Sequence, residues 1–158
     1  FRKIGSGMAI AFSIAILAST SVQAEPLKLR LSVESTPGSS TQHMLASFRD
    51  ALKIEMGDDV AIEYFDSGTL GDEIVHMQQV RTGQLDVIPI GSDAVQLDAK
   101  FAVFDIPFLF SSRDKVSAVL DGPIGDELDA SFQKAAGLKV LSYGEIGFPQ
   151  IKIRFDLN

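Results

Sequence analysis

Cysteine and tryptophan are absent, histidine occurs twice, and 14 basic residues face 21 acidic ones. Without thiols there is no disulfide framework, no thiol nucleophile and no cysteine-built zinc or iron–sulfur site. A formal charge of −7 argues against a nucleic-acid partner, because phosphates demand a basic footprint. Disorder is excluded as well, since 46% of the residues are apolar and only 22% are charged. A length of 158 residues suits one domain and is too short for a two-lobed enzyme or binding protein. There is no internal repeat, linker or low-complexity tract.

What is present begins with a leader. Arg2 and Lys3 precede an uncharged run from Ile4 to Ala24, densest over Met8 to Ala18, with Val22 and Ala24 at the small-residue positions of a cleavage site. A basic start, an apolar centre and such an end form a bacterial secretory signal, so residues 1–24 are set apart and cleavage is expected after Ala24. An uncleaved membrane anchor is the alternative, but the run reaches spanning length only if Ser19, Thr20, Ser21 and Gln23 are counted. The chain opens on Phe1 rather than Met, so an upstream start is expected. Beyond the leader stand 12 basic and 21 acidic residues. Export without cysteine fits a periplasm.

From residue 25 onward, strand and helix patterns alternate. Leu27 to Glu34 puts Leu27, Leu29, Leu31 and Val33 on one face and Lys28, Arg30, Ser32 and Glu34 on the other. A helix is expected from Thr41 to Met56, with Met44, Leu45, Phe48, Ala51, Leu52 and Met56 as its apolar stripe and Gly57 as its C-terminal cap. Val60 to Phe65 reads as a second strand. Asp72 to Thr82 reads as a helix closed by Gly83, and Leu85 to Ile90 as an interior strand weakened at its end by Pro89. Ser111 and Asp114 are spaced as a capping box. Pro123 reads as a first-turn proline after Asp121 or Gly122, opening a helix with Ile124, Leu128, Phe132 and Ala135 inward and Gly137 at its end. Leu138 to Tyr143 completes the pattern as a further strand. The fold class is therefore α/β, a mostly parallel sheet with helices on both faces. Ligands of such folds sit outside the carboxyl ends of the strands. Here those ends are the loops Glu34–Thr41, Phe65–Asp72, Gly91–Val95 and Gly144–Pro149.

Chemistry-bearing patterns are sparse. Glu73 and His76 have the Glu-x-x-His spacing of carboxylate metal sites, but such sites need a second copy and further acids, so a solvated helix face is the reading and no metal is expected. His43 near Ser39, Ser40 and Asp50 lacks a G-x-S-x-G elbow and reads as a surface or cleft-wall residue. No G-x-G-x-x-G or phosphate loop occurs, and no cofactor is implied. Asp58–Asp59 and the acids Asp126, Glu127 and Asp129 suit turns, a helix dipole or solubility. Phe101, Phe104, Phe108 and Phe110 read either as core or as one wall of an apolar cleft.

Four segments in order carry a family resemblance. FDSGTLGDEIVHMQQVRTGQLDV (Phe65 to Val87) resembles the F-x-x-G-x-L-G-x-E … Q-x-x-x-G-x-L-D pattern of the solute-binding proteins of TRAP (tripartite ATP-independent periplasmic) transporters. FAVFDIPFLF (Phe101 to Phe110) is similar to that family's F-x-V-x-D-x-P-F-L-F segment, and VLDGPIGDEL and LKVLSYGEIGF continue the likeness. The resemblance implies a periplasmic-binding-protein-like fold of two lobes. The receptor captures an organic acid (a dicarboxylate, sugar acid or keto acid), closes on it, and delivers it to the membrane permease subunits. Residues 25–150 would be its first lobe and 151–158 a divergent tail, with the second lobe missing from the chain.

By the same resemblance Glu34, Ser35, Ser40, Asp72, Glu73, Ser92, Asp93, Phe108, Glu145 and Phe148 occupy positions that line the ligand cleft. The family's arginine after the G-F pair is Pro149 here. Lys152, Ile153 and Arg154 look like a later K-I-R segment without the intervening stretch, and a random tail is the other reading. Two rival functions remain: a truncated remnant that binds nothing, and a periplasmic hydrolase, which lacks its nucleophile–base signature.

Overall fold

The computed structural model describes residues 25–144 and 146. The leader, Glu145 and residues 147–158, with Phe148, Pro149 and Arg154, lie outside the described residues.

Strand β1 (Leu27–Ser32) pairs in parallel with β2 (Val60–Phe65), from Leu27 opposite Val60 to Ser32 opposite Phe65. Helix α1 (Ser40–Met56) makes the crossover, and α2 (Glu73–Arg81) leads from β2 back to the far side of β1. The expected third strand is reduced to a single parallel bridge between Leu31 and Val87. Pro89 supplies no N–H and fixes its own φ, so it cannot extend a ladder. The segment is instead fastened by the Arg30 side chain. Its Nε donates to Asp86 Oδ2 at 3.0 Å and its Nη2 to the Gly83 carbonyl at 2.7 Å.

Both faces of β1 are covered. Leu31, Val33 and Leu45 form a sealed cluster with Leu29, Phe48, Ile62, Tyr64 and Val87, which seats α1 on one face. Ser32, expected on a polar face, is fully buried on the other, beneath His76 of α2. On α1 the inward stripe is narrower than its pattern: Leu45 is buried, Phe48, Leu52 and Met56 half-buried, and Met44 and Ala51 exposed. One face of a helix on a narrow sheet has room for one row at three- and four-residue steps.

A second cluster joins Ala94, Phe132 and Ala136 to Ile90, Leu97, Phe101, Leu138 and Val140. Here the phenylalanine set divides. Phe101 packs on Phe132 with ring centroids 4.9 Å apart, whereas Phe108 is fully exposed. Helix α3 (Arg113–Leu120) is capped by Ser112, whose hydroxyl accepts from the Lys115 N–H, so the cap is not Ser111. Helix α4 (Pro123–Ala136) follows Gly122 with Pro123 in its first turn and ends on Gly137 in the left-handed region, as expected. Its buried row is Gly125, Leu128, Phe132 and Ala136: Leu128 and Phe132 are inward as expected, while Ile124, 56% exposed, and Ala135 give way to Gly125 and Ala136. Gly125 sits so close to the Leu120 backbone that a side chain there has no room, and this approach turns the row.

The expected last strand, Leu138 to Tyr143, has no ladder partner among the described residues. Leu138 and Val140 lean on the second cluster, and the Tyr143 hydroxyl donates to Asp129 of α4 at 2.6 Å, which replaces strand pairing. No helix among the described residues is long and apolar enough to cross a membrane.

Candidate functional site

The parallel strands deliver their carboxyl ends side by side. Val33 N–H donates to the Phe65 carbonyl at 2.9 Å, and Gly68 N–H returns to the Val33 carbonyl at 3.2 Å. Ser67 N–H donates to the Ser35 carbonyl at 3.3 Å, so the loops after β1 and β2 are laced together. The second loop turns sharply through Ser67 and Gly68 at positive φ, and again at Gly71. At Gly71 φ is +124° and a Cβ would meet Val75 Cγ1 at 2.7 Å, so only glycine lets the loop enter α2 here.

Asp72 caps α2 by accepting from the Val75 N–H at 2.9 Å. Glu34, two residues past β1, accepts the Glu73 N–H at 2.8 Å. The Glu73 carboxylate in turn accepts the Gly91 N–H at 2.5 Å. Asp93, in the 3-10 turn Ser92–Gln96, accepts from the Gln96 side chain at 2.7 Å. Four carboxylates, Glu34, Asp72, Glu73 and Asp93, therefore meet at the mouth with no basic side chain in these contacts. Burial raises the Glu73 carboxyl above its ordinary range, Asp93 and Glu34 add repulsion, and the Gly91 N–H partly offsets them.

Directly behind this mouth, His76 Nε2 and Ser32 Oγ lie 3.1 Å apart, at 1% and 0% exposure. The expected solvated Glu-x-x-His face is thus wrong: Glu73 is half-buried and His76 sealed. Burial pushes His76 below its ordinary value, against the opposing pull of the Glu34 and Asp72 carboxylates. This Ser–His pair is closed to any substrate and holds α2 on the sheet. The alternation set Ser32 on the polar face, and only the packing of α2 on that face makes it inward.

Of the cleft residues implied by resemblance, the structure brings together Glu34, Ser35, Asp72, Glu73, Ser92 and Asp93. Ser40 is the exposed first residue of α1, whose cap is Ser39, and it joins none of these contacts among the described residues. Phe108 is set apart too, at φ +60° on the connector before α3. Glu145, Phe148 and Pro149 lie outside the described residues. No group of three metal-ligating side chains converges among the described residues. An apolar groove of about 440 Å³ lies elsewhere, between Phe104, Phe110, Val119 and Ile124, and offers an anion little beyond Lys115.

The chain matches the family model of the bacterial extracellular solute-binding protein, family 7 (DctP), over residues 31–154. The 2,3-diketo-L-gulonate-binding periplasmic protein YiaO of Escherichia coli is 31% identical over 140 residues, covering 87% of this chain and 42% of YiaO. A TRAP periplasmic solute-binding protein of Xanthobacter autotrophicus, solved with bound β-D-galacturonate, is 32% identical with a TM-score of 0.61, covering 68% of this chain and 36% of that one. The sugar acid binding protein DctPAm of Advenella mimigardefordensis, solved with galactonate, is 25% identical with a TM-score of 0.67, covering 73% and 37%. The chain spans between about a fifth and just over two fifths of the length of the curated relatives it matches. The laced loops and two-sided sheet agree with that match, and the protein belongs to the bacterial extracellular solute-binding proteins of family 7.

Proposed function

We propose that this chain supplies one wall of an extracytoplasmic receptor for a polyhydroxylated organic acid, with no enzymatic step. The carrying observation is that the carboxylates of Glu34, Asp72 and Asp93 stand at the carboxyl ends of the strands around Glu73, whose own carboxylate is turned onto the Gly91 N–H. Ionised carboxylates only accept hydrogen bonds, and sugar hydroxyls donate them. A dicarboxylate brings a second negative charge to a mouth that already repels its own acids. A sugar acid can turn its hydroxyls to this wall and its carboxylate away from it. The names of the relatives above, which bind diketogulonate, galacturonate and galactonate, support this choice within the organic acids.

Pro149 qualifies the reading. By resemblance it replaces an arginine that meets the ligand carboxylate, and proline has neither charge nor N–H to offer. Affinity is therefore expected to be weak, and the alternative of a remnant that binds nothing draws its support from this residue. The partners would be TRAP membrane permease subunits. The protein would reach them through export directed by residues 1–24, and mass spectrometry of periplasmic material should find Glu25 at its start.

The test is an NMR titration of the isotope-labelled chain with D-galacturonate, galactonate and succinate. The sugar acids should shift the amides of Glu34, Asp72, Glu73 and Gly91 to Asp93 more strongly than succinate does. Stronger binding of succinate, or shifts elsewhere only, would overturn the proposal.

A further inference from the structure

Glu73 is set differently from the other acids of the mouth. Its carboxylate is turned onto the backbone of the third loop: one oxygen accepts the Gly91 N–H at 2.5 Å, and the other lies 3.4 Å from where a Gly91 Cβ would stand. Its own N–H is taken by Glu34 at 2.8 Å. A relay of two hydrogen bonds therefore runs from the loop after β1, through the first residue of α2, to the loop that carries Ser92 and Asp93.

We infer that Glu73 is a positioning residue, not a ligand contact, and that its carboxylate locks the Gly91–Asp93 loop against α2 before any ligand arrives. The third segment has only one bridge to the sheet, so its loop lacks the ladder that would otherwise fix it. A half-buried carboxylate kept beside Glu34 and Asp93 works against like charge and desolvation, and the Gly91 N–H offsets both. Pre-organising the loop spares the ligand the cost of ordering it.

This inference rests on the proposed mouth, and its test separates the two. Glu73→Gln keeps an oxygen able to accept the Gly91 N–H, while Glu73→Ala removes it. Amide exchange is measured on each full chain without ligand, followed by titration with D-galacturonate. In Glu73→Ala, exchange at Gly91 should accelerate at least tenfold and affinity should fall at least tenfold. In Glu73→Gln, both should stay within about threefold of the parent, a rescue that a ligand-contacting charge does not permit. Unchanged Gly91 exchange in Glu73→Ala overturns the inference. So does a Glu73→Gln chain that loses affinity while its Gly91 amide stays protected. If Glu73→Ala fails to fold by circular dichroism, the Glu73→Gln pair of measurements decides alone. If the parent binds no D-galacturonate, the proposed function fails and the exchange comparison alone decides the brace.

Discussion

Ser32→Ala probes the buried contact on which α2 rests. The substitution removes one oxygen and leaves His76, 1% exposed, with its Nε2 facing an apolar wall. Water cannot reach the orphaned nitrogen, so the expected loss is about 1–3 kcal/mol. Removing both partners, as in Ser32→Ala with His76→Leu, should cost less than the two single changes together, with a coupling of about 1–2 kcal/mol. The assay is urea unfolding followed by far-ultraviolet circular dichroism, since the chain has no tryptophan to report. The pair also has a pH signature. Burial places His76 below its ordinary value in the folded state, so the unfolded chain binds the proton more readily. The stability it contributes is complete above about 6.5 and is lost progressively as pH falls from there through the lower folded-state value, by up to about 1.4 kcal/mol per unit. Glu73, with its carboxyl raised, works in the opposite sense, so the informative quantity is the parent minus the His76→Leu variant at each pH. A Ser32→Ala chain as stable as the parent, or a His76→Leu chain with the parent's pH slope, would refute this account.

Three further outcomes are expected. Gly71→Ala places a Cβ 2.7 Å from Val75 Cγ1 at φ +124°, so it should cost about 1–3 kcal/mol in thermal or urea unfolding and loosen the Glu73 amide in hydrogen exchange. Tyr143→Phe removes a hydroxyl that donates to Asp129 at 2.6 Å, at a cost of about 1.5–3 kcal/mol. Burial and Asp129 hold the Tyr143 phenol far above its ordinary value, so its stabilisation persists at neutral pH and fades only in strong alkali, which absorbance titration of the parent and variant will follow. Pro149→Arg should tighten D-galacturonate binding at least tenfold in the NMR titration only when the second lobe is also restored, because one wall cannot enclose a ligand and a charge-assisted pair reaches about 2–5 kcal/mol only in an enclosed cleft; the same gain in the unrestored chain would refute this.

Local chemistry is what the sequence determined by itself. Alternation at Leu29, Leu31 and Val33, caps at Gly57, Gly83 and Gly137, and the turn into Pro123 depend on φ preferences and on neighbours a few residues away. The order of loops at the strand ends follows from them, so Glu34, Asp72 and Asp93 were legible at one end of the sheet, whereas Glu73 read as a solvated helix residue and reached the cleft only through the family resemblance. Tertiary structure alone decided what those local rules cannot weigh. Ser32 is polar and reads as outward until α2 brings a histidine to satisfy it. Leu85 to Ile90 and Leu138 to Tyr143 have strand-like patterns, but a strand exists only where a partner's backbone is in register. Pro89 and the Tyr143–Asp129 bond leave the two segments with one bridge and none. The inward row of α4 passes through Ala136 rather than Ala135 because Gly125 must meet the Leu120 backbone. The Glu73–Gly91 bond joins residues 18 apart and leaves no periodic trace, because side-chain direction is set by the packing around it.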